Sequence, residues 1–211
     1  MAYTGLRAAE ISEIRRLNQQ YLGALATNGV SDISLKAKVG KKRWEWFLRA
    51  KNEQLLRLST LPYLLFRLDT VNAHLAAPSK NADLFAAHQQ AGSQLFSMAT
   101  AFAHQLAQRD LFSLRVITGA SEDWCNWLQG MSLVRLSEIA RTTNAPIVPI
   151  LGDHKTYWPE LFDAARFDRA ERLQAVAIAG MQHLISKQSS HWSQAIAARS
   201  APAASRRVAE R

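Results

Sequence analysis

The stretch from Gly40 to Asp69, GKKRWEWFLRAKNEQLLRLSTLPYLLFRLD, returns in altered form from Gly119 to Asp153, GASEDWCNWLQGMSLVRLSEIARTTNAPIVPILGD. This recurrence constrains the fold more than any compositional feature, because two copies are too few to stack as a solenoid and so imply a duplicated domain. In each copy a Gly ends one helix and polar residues follow. A W-x-x-[FW]-L core helix comes next, with Trp44, Phe47 and Leu48 in the first copy and Trp124, Trp127 and Leu128 in the second. After a short polar break each carries an L-[LV]-R-L-S helix, Leu55 to Ser59 and Leu133 to Ser137, and then an apolar run suited to a strand, Tyr63 to Leu68 and Ile147 to Leu151. Each copy reads as helix, turn, helix, strand.

The flanking segments extend the match. Ile11, Ile14, Leu17, Tyr21 and Leu25 recur at three- and four-residue spacing and predict a helix from Leu6 to Asn28, ended by Asn28-Gly29. Ser31-Asp32 caps a short helix, Ile33 to Val39, which Gly40 terminates, and Pro62 closes the helix pair that follows. Thr70 to Lys80 lacks a period, carries Pro78 and reads as a linker. A second long helix starts at Asn81 or Asp83 and runs to Gln108, with Leu84, Phe85, His88, Ala91, Leu95, Met98, Phe102 and Leu106 along one side; Asp110 to Val116 matches the short helix. Beyond the loop GDHKTYWPE an amphipathic helix spans Pro159 to Lys187, with an irregularity near Phe167-Asp168. The organisation is thus a basic helical domain at 5–70, a second helical domain at 81–153, a helical extension at 156–187 and, from its Ser, Ala and Arg content, a disordered basic tail at 188–211.

A chain of 211 residues can bury one large core or two small ones, and the repeat favours two. The apolar share of 48%, beside 20% charged residues, is that of a folded protein. The start MAYTGLRAAE lacks a basic segment followed by an apolar run, and nothing approaches the roughly 18 uninterrupted apolar residues of a membrane span. A cytoplasmic protein without a membrane segment is the expectation.

Charge separates the two copies. The net charge is +9, which favours polyanions. Eight of the cations, Lys36, Lys38, Lys41, Lys42, Arg43, Arg49, Lys51 and Arg57, fall in one segment of the first copy against two acids, Glu45 and Glu53. The matching segment of the second copy is balanced, with Arg109, Arg115, Arg135 and Arg141 against Asp110, Glu122, Asp123 and Glu138. Duplicates that share a core but differ in surface charge divide their tasks: the first would take the polyanion, the second a protein partner. In a helix-turn-helix module the second helix enters the major groove while surrounding Lys and Arg neutralise phosphates. Here Lys41, Lys42 and Arg43 would open the first helix, Lys51 would sit near the turn and Arg57 on the second helix, with Asn52 and Gln54 within reach of base edges. The ordinary alternative is a solvated charged face.

Motifs for catalysis are missing. The sequence holds no P-loop, no G-x-G-x-x-G, no H-E-x-x-H, no G-x-S-x-G and no metal-spaced His/Cys cluster, so neither an enzyme nor a cofactor or metal site is expected. A single cysteine, Cys125, rules out an intrachain disulfide; between two Trp residues it reads as a small core residue, with an interchain thiol or a nucleophile as the alternative. Asp153, His154, Lys155, Tyr157 and Glu160 bring acid, base and cation into one loop, either a catalytic cluster or a solvated lead into a helix. Trp44, Trp124 and Trp127 stand at core spacing, whereas Trp46, beside Arg43 and Arg49, lies off that stripe at an interface.

These residues carry a family resemblance. Ile14-x-x-Leu17-Asn18-x-x-Tyr21-Leu22, the short helix ending in Val39-Gly40, the Leu55-Leu56-Arg57-Leu58 helix and Phe66-Arg67-Leu68-Asp69 resemble the flagellar master-regulator subunit FlhD. The second copy is similar through Gln105-Leu106-Ala107-Gln108-Arg109-Asp110, Leu114 to Gly119 and Leu133 to Ala140, so that the resemblance covers residues 10–153. It implies a mainly helical protein with short β segments, two FlhD-like domains fused in one chain and a C-terminal helix. It also implies a DNA-binding transcriptional activator subunit of flagellar or conjugation regulation, acting with a zinc-binding FlhC-like partner in a homo- or hetero-oligomer. Three features depart from the family: the duplication, Leu65 where FlhD carries a cysteine, and the helix after Pro159, which would dock a partner. A non-enzymatic adaptor of a secretion or conjugation apparatus is the alternative function.

Overall fold

The computed structural model describes residues 5–27, 33–68, 91–142 and 148–200. The long apolar stripe at the start folds as α1 (Ala8–Ala26), opened by the Glu10 carboxylate, which accepts from the Arg7 backbone N–H at 2.7 Å. Next come α2 (Ile33–Val39), α3 (Lys41–Leu48), α4 (Asn52–Ser59) and the two-residue strand β1 (Phe66–Arg67). Gly40, at φ 84, makes the corner between α2 and α3, a backbone conformation that a side chain would strain. Then follow α5 (Ala91–Arg109), α6 (Leu111–Thr118), α7 (Glu122–Gly130), α8 (Leu133–Thr142) and β2 (Val148–Pro149). Asp110 caps α6 by accepting from the Ser113 N–H at 3.0 Å, and Ser121 caps α7 by accepting from the Trp124 N–H at 3.2 Å. The final helices are α9 (Tyr157–Arg166) and α10 (Ala170–Ser200).

Among the described residues the protein is mainly helical, with one small two-stranded sheet. Its strands come from the two apolar runs and pair antiparallel, Phe66 opposite Pro149 and Arg67 opposite Val148. Helix α1 packs on α4, α5 packs on α8, and α1 and α5 pack on each other. The Leu64 N–H donates to the Ile117 carbonyl at 2.9 Å and the Ile150 N–H to the Leu65 carbonyl at 2.8 Å. Because the long helices share a face and the segment after α4 bonds to the later half, the buried side chains form one contiguous core where the sequence led to two smaller ones.

Asn18, fully buried on α1, fixes that segment. Its Nδ2 donates to the Tyr63 carbonyl at 2.8 Å and its Oδ1 accepts from the Leu65 N–H at 2.8 Å. A buried amide is tolerable because both ends are satisfied. Nearby, the hydroxyls of Tyr63 and Tyr157 lie 3.0 Å apart beside Gly180 of α10.

The C-terminal segment differs from its expectation in two respects. The irregularity at Phe167-Asp168 is a full break, with Asp168 at φ 52, so α9 and α10 are separate helices. Helix α10 also runs on to Ser200, past the expected end at Lys187, so that residues 188–200 are helical where a disordered tail is expected from the sequence. Helix α9 packs on α2, α3 and α4, and α10 on α9 and α6. The linker at 70–80, the expected start of the second long helix at 81–90, the Asn28-Gly29 and Ser31-Asp32 signals and residues 201–211 lie outside the described residues. Among the described residues no helix is long and apolar enough to cross a membrane.

Candidate nucleic-acid interface

The basic segment of the first half occupies α2, α3 and α4. On α3 the apolar side is Trp44 and Phe47, both buried, and the opposite side is Lys41, Lys42 and Arg49, all exposed. Helix α4 begins beyond a tight corner at Ala50-Lys51, where the Lys51 N–H donates to the Gln54 side chain at 3.0 Å. This bond turns Gln54 back onto its own helix start, while Asn52 stays exposed.

The eight cations fall into two groups. Three are held by residues between Gly152 and Asp168. Arg43 makes a two-pronged pair with Asp163 of α9, Nε to Oδ1 at 2.8 Å and Nη2 to Oδ2 at 2.9 Å. That hydrogen bonding holds the Asp163 carboxyl below the usual carboxylate range and raises the Arg43 guanidinium. Arg57 pairs with Asp168 at the α9–α10 break. Lys38 donates to the Gly152 carbonyl and lies 3.9 Å from an Asp153 oxygen. Of the other five, Lys41 sits 3.9 Å from Glu45 one turn along α3 and stays largely in water. Lys36, Lys42, Arg49 and Lys51 are exposed, with no ion pair among the described residues. Lys42 and Arg49 stand seven residues apart, two helical turns along one side of α3, with Lys51 just beyond.

Aromatic packing explains why the C-terminal part sits here. The Phe162 ring stacks on Phe47 at 4.9 Å and meets Trp46 edge-on at 6.0 Å. Trp46 is accordingly half-buried at an interface, but the interface is with α9. Trp44 and Trp124 are core residues and Trp127 packs against that core. Asp163, Asp168 and Phe162 escaped the sequence reading as partners of the basic face because nothing in the spacing of residues so far apart joins them.

The polar side chains of the 153–160 loop go different ways. His154 uses Nδ1 to accept from the Tyr157 N–H at 3.2 Å, which caps α9, and its ring rests on His183 of α10 at 4.4 Å. Asp153 and Lys155 point to solvent, Glu160 is exposed and Tyr157 is buried against Tyr63. Two grooves on the described surface, of about 690 Å³ and about 570 Å³, are lined by other residues. No group of three His, Cys, Asp or Glu among the described residues has metal-binding geometry. Cys125 is fully buried on α7.

Against known proteins, no family model, no curated protein and no solved structure matches this chain.

On the second half the positions that match the exposed cations carry other polar residues, among them Asp123 and Gln129, both exposed. Leu133 and Val134, adjacent at the start of α8, are 52% and 72% exposed. Arg135 and Glu138 beside them form a pair at 3.2 Å.

Proposed function

We propose that this chain is a DNA-binding transcriptional regulator, an activator subunit that works with a partner protein in the manner of FlhD with FlhC. In this reading residues 5–70 and 81–153 are two FlhD-like helical domains in tandem, and the protein acts in the cytoplasm without enzymatic activity. Support for the tandem arrangement comes from the recurring element order, from the like packing of α1 on α4 and α5 on α8, and from the antiparallel pairing of β1 with β2.

The observation that carries the DNA reading is that Lys36, Lys41, Lys42, Arg49 and Lys51 are all exposed along α2–α4, while the matching positions of α7 and α8 carry no such set of cations. Charge left in solvent on a rigid helix pair is what a phosphate backbone needs. Arg43 and Arg57 are instead paired with Asp163 and Asp168, and Lys38 is held at the Gly152-Asp153 turn. Replacing Lys42, Arg49 and Lys51 together by Ala should weaken binding to any duplex and flatten the dependence of log affinity on log salt by roughly 0.9 for each phosphate no longer neutralised. Measured on the natively co-purified complex, an unchanged slope would count against the assignment.

The exposed Leu133–Val134 pair favours a second reading, a non-enzymatic adaptor of a secretion or conjugation system. An adaptor should show little salt-dependent affinity for unrelated duplex DNA while still holding its protein partner through α8.

A further inference from the structure

Between the end of α4 and the first half of α10 runs the groove of about 690 Å³, a volume within the range of small-molecule sites. Two contacts fix its direction. At one end Arg57 of α4 pairs with Asp168 at the α9–α10 break, and at the other the Tyr63 hydroxyl lies against Gly180 of α10. Small side chains hollow it out: Ala164 and Ala165 of α9, both buried, and Ala170 and Ala177 of α10 form wall where longer residues would close it. Its lining on α10 extends from Arg169 to Met181, which at about 1.5 Å per residue makes it about 18 Å long. Charge is confined to one end. Arg57, Asp168 and Arg169 stand there, whereas Leu61, Pro62, Ala177, Ile178 and Met181 make the other end, with Thr60 and Gln174 as uncharged polar groups between them.

We propose that this groove binds a long-chain monocarboxylate, a fatty acid anion whose alkyl chain lies along α10 and whose carboxylate meets Arg169. Charge selects the head. Asp168, the acid in the wall, is already paired with Arg57, and Glu171 falls outside the lining. Arg169 has no ion pair among the described residues; its guanidinium lies 5.8 Å from the centre of the exposed Phe167 ring, with that of Arg166 at 5.1 Å from the same ring. The charged end is therefore left with a positive excess. A cationic head would meet repulsion there, while a carboxylate can take two charge-assisted hydrogen bonds from one guanidinium. Size selects the tail. A partner's helix of the same length, about 10 Å across with its side chains, would need about twice the groove's volume. A single extended alkyl chain, about that of dodecanoate, fits within it against Leu61, Leu173 and Met181. Burial of the chain supplies the affinity and Arg169 its direction.

Isothermal titration calorimetry of the full chain with dodecanoate, kept below its micellar concentration, tests this. One site with a micromolar Kd is expected. Butanoate, which has the head without the tail, should bind about a hundredfold more weakly, and dodecanol, which has the tail without the charge, about tenfold more weakly. Arg169→Gln should lower the affinity for dodecanoate about tenfold and leave that for dodecanol unchanged, a split that loss of folding cannot imitate. Gln174→Trp, a substitution at an exposed lining position, should fill the groove and abolish binding of both, while the circular dichroism spectrum and melting temperature stay near those of the wild type. A wild type that does not bind dodecanoate overturns the proposal, whether the groove then takes a partner protein or the chain is retained only on phosphatidylglycerol vesicles. So does equal affinity for dodecanoate and dodecanol, an Arg169→Gln variant that binds dodecanoate like the wild type, or binding that survives Gln174→Trp. DNA binding enters none of these measurements, so the outcome is independent of the regulatory function proposed above.

Discussion

Arg43 on α3 and Asp163 on α9 meet through two parallel hydrogen bonds of 2.8 and 2.9 Å, and this pair ties the C-terminal helices to the basic half of the molecule. Beside it Phe162 stacks on Phe47, so one attachment point combines a fixed charge pair with buried aromatic area.

The pair has an acid limit. Because Asp163 is held below its usual range when folded, its contribution is present above the unfolded aspartate value of about 3.9 and is lost as pH falls through the lower folded value. Asp163→Asn should therefore cost about 1 kcal/mol near neutrality, a modest figure because the Arg43 side chain is 40% exposed. Urea unfolding of wild type and variant at pH 6 and pH 3 checks this: the difference should shrink at pH 3. A difference that persists undiminished at pH 3 would show that the carboxylate charge is not what holds α9.

The hydroxyls of Tyr63 and Tyr157 set the opposite limit. Burial pushes Tyr63 up to about 12 and Tyr157 well above its ordinary value, so both stay neutral in the folded protein. Unfolded tyrosine ionises near 10, and stability contributed by a raised group is complete below that value and lost as pH rises towards the folded one. Unfolding midpoints should hold to about pH 10 and fall between about 10 and 12. Tyr63→Phe should cost about 1 kcal/mol at pH 7 and flatten the alkaline fall. Parallel alkaline profiles for wild type and variant would remove Tyr63 from this account.

Much of this was legible in the residues. The spacing of Ile14, Leu17, Tyr21 and Leu25 gives α1, Asp110 and Gly119 bound α6, and the two apolar runs give the strands, because each of these signals is local. What the sequence conceals is long-range. Nothing near Phe66 says that its strand partner is Pro149, and nothing near Arg43 says that its carboxylate lies on α9. The candidate interface was legible as a set of cations but not as a division between those in water and those committed to α9 and the loops around it. That division depends on where α9 docks, and α9 docks through Phe162, an aromatic whose destination no periodicity reveals. The helix after Lys187 was concealed for another reason: its Ser, Ala and Arg content suggests a tail, whereas α10 runs on to Ser200.

Gly180 tests how tightly α10 sits on the body of the protein. In the interior of an exposed helix, Gly→Ala ordinarily stabilises by up to about 1 kcal/mol through backbone entropy. Here the sign should reverse, because a methyl group at Gly180 would stand 2.9 Å from Tyr157 Cε2 and equally close to Tyr63 Cζ, with the Tyr63 hydroxyl nearer still. Both rings are buried, so relief requires α10 to lift or the tyrosine pair to shift. Gly180→Ala should cost about 2 kcal/mol. The cost should fall in a Tyr63→Phe background, where the hydroxyl in closest conflict is gone, so that a double-mutant cycle gives a clear coupling energy. Thermal melts of the four proteins suffice. A stabilised Gly180→Ala, or costs that simply add, would mean that α10 does not pack on the Tyr63–Tyr157 pair as described.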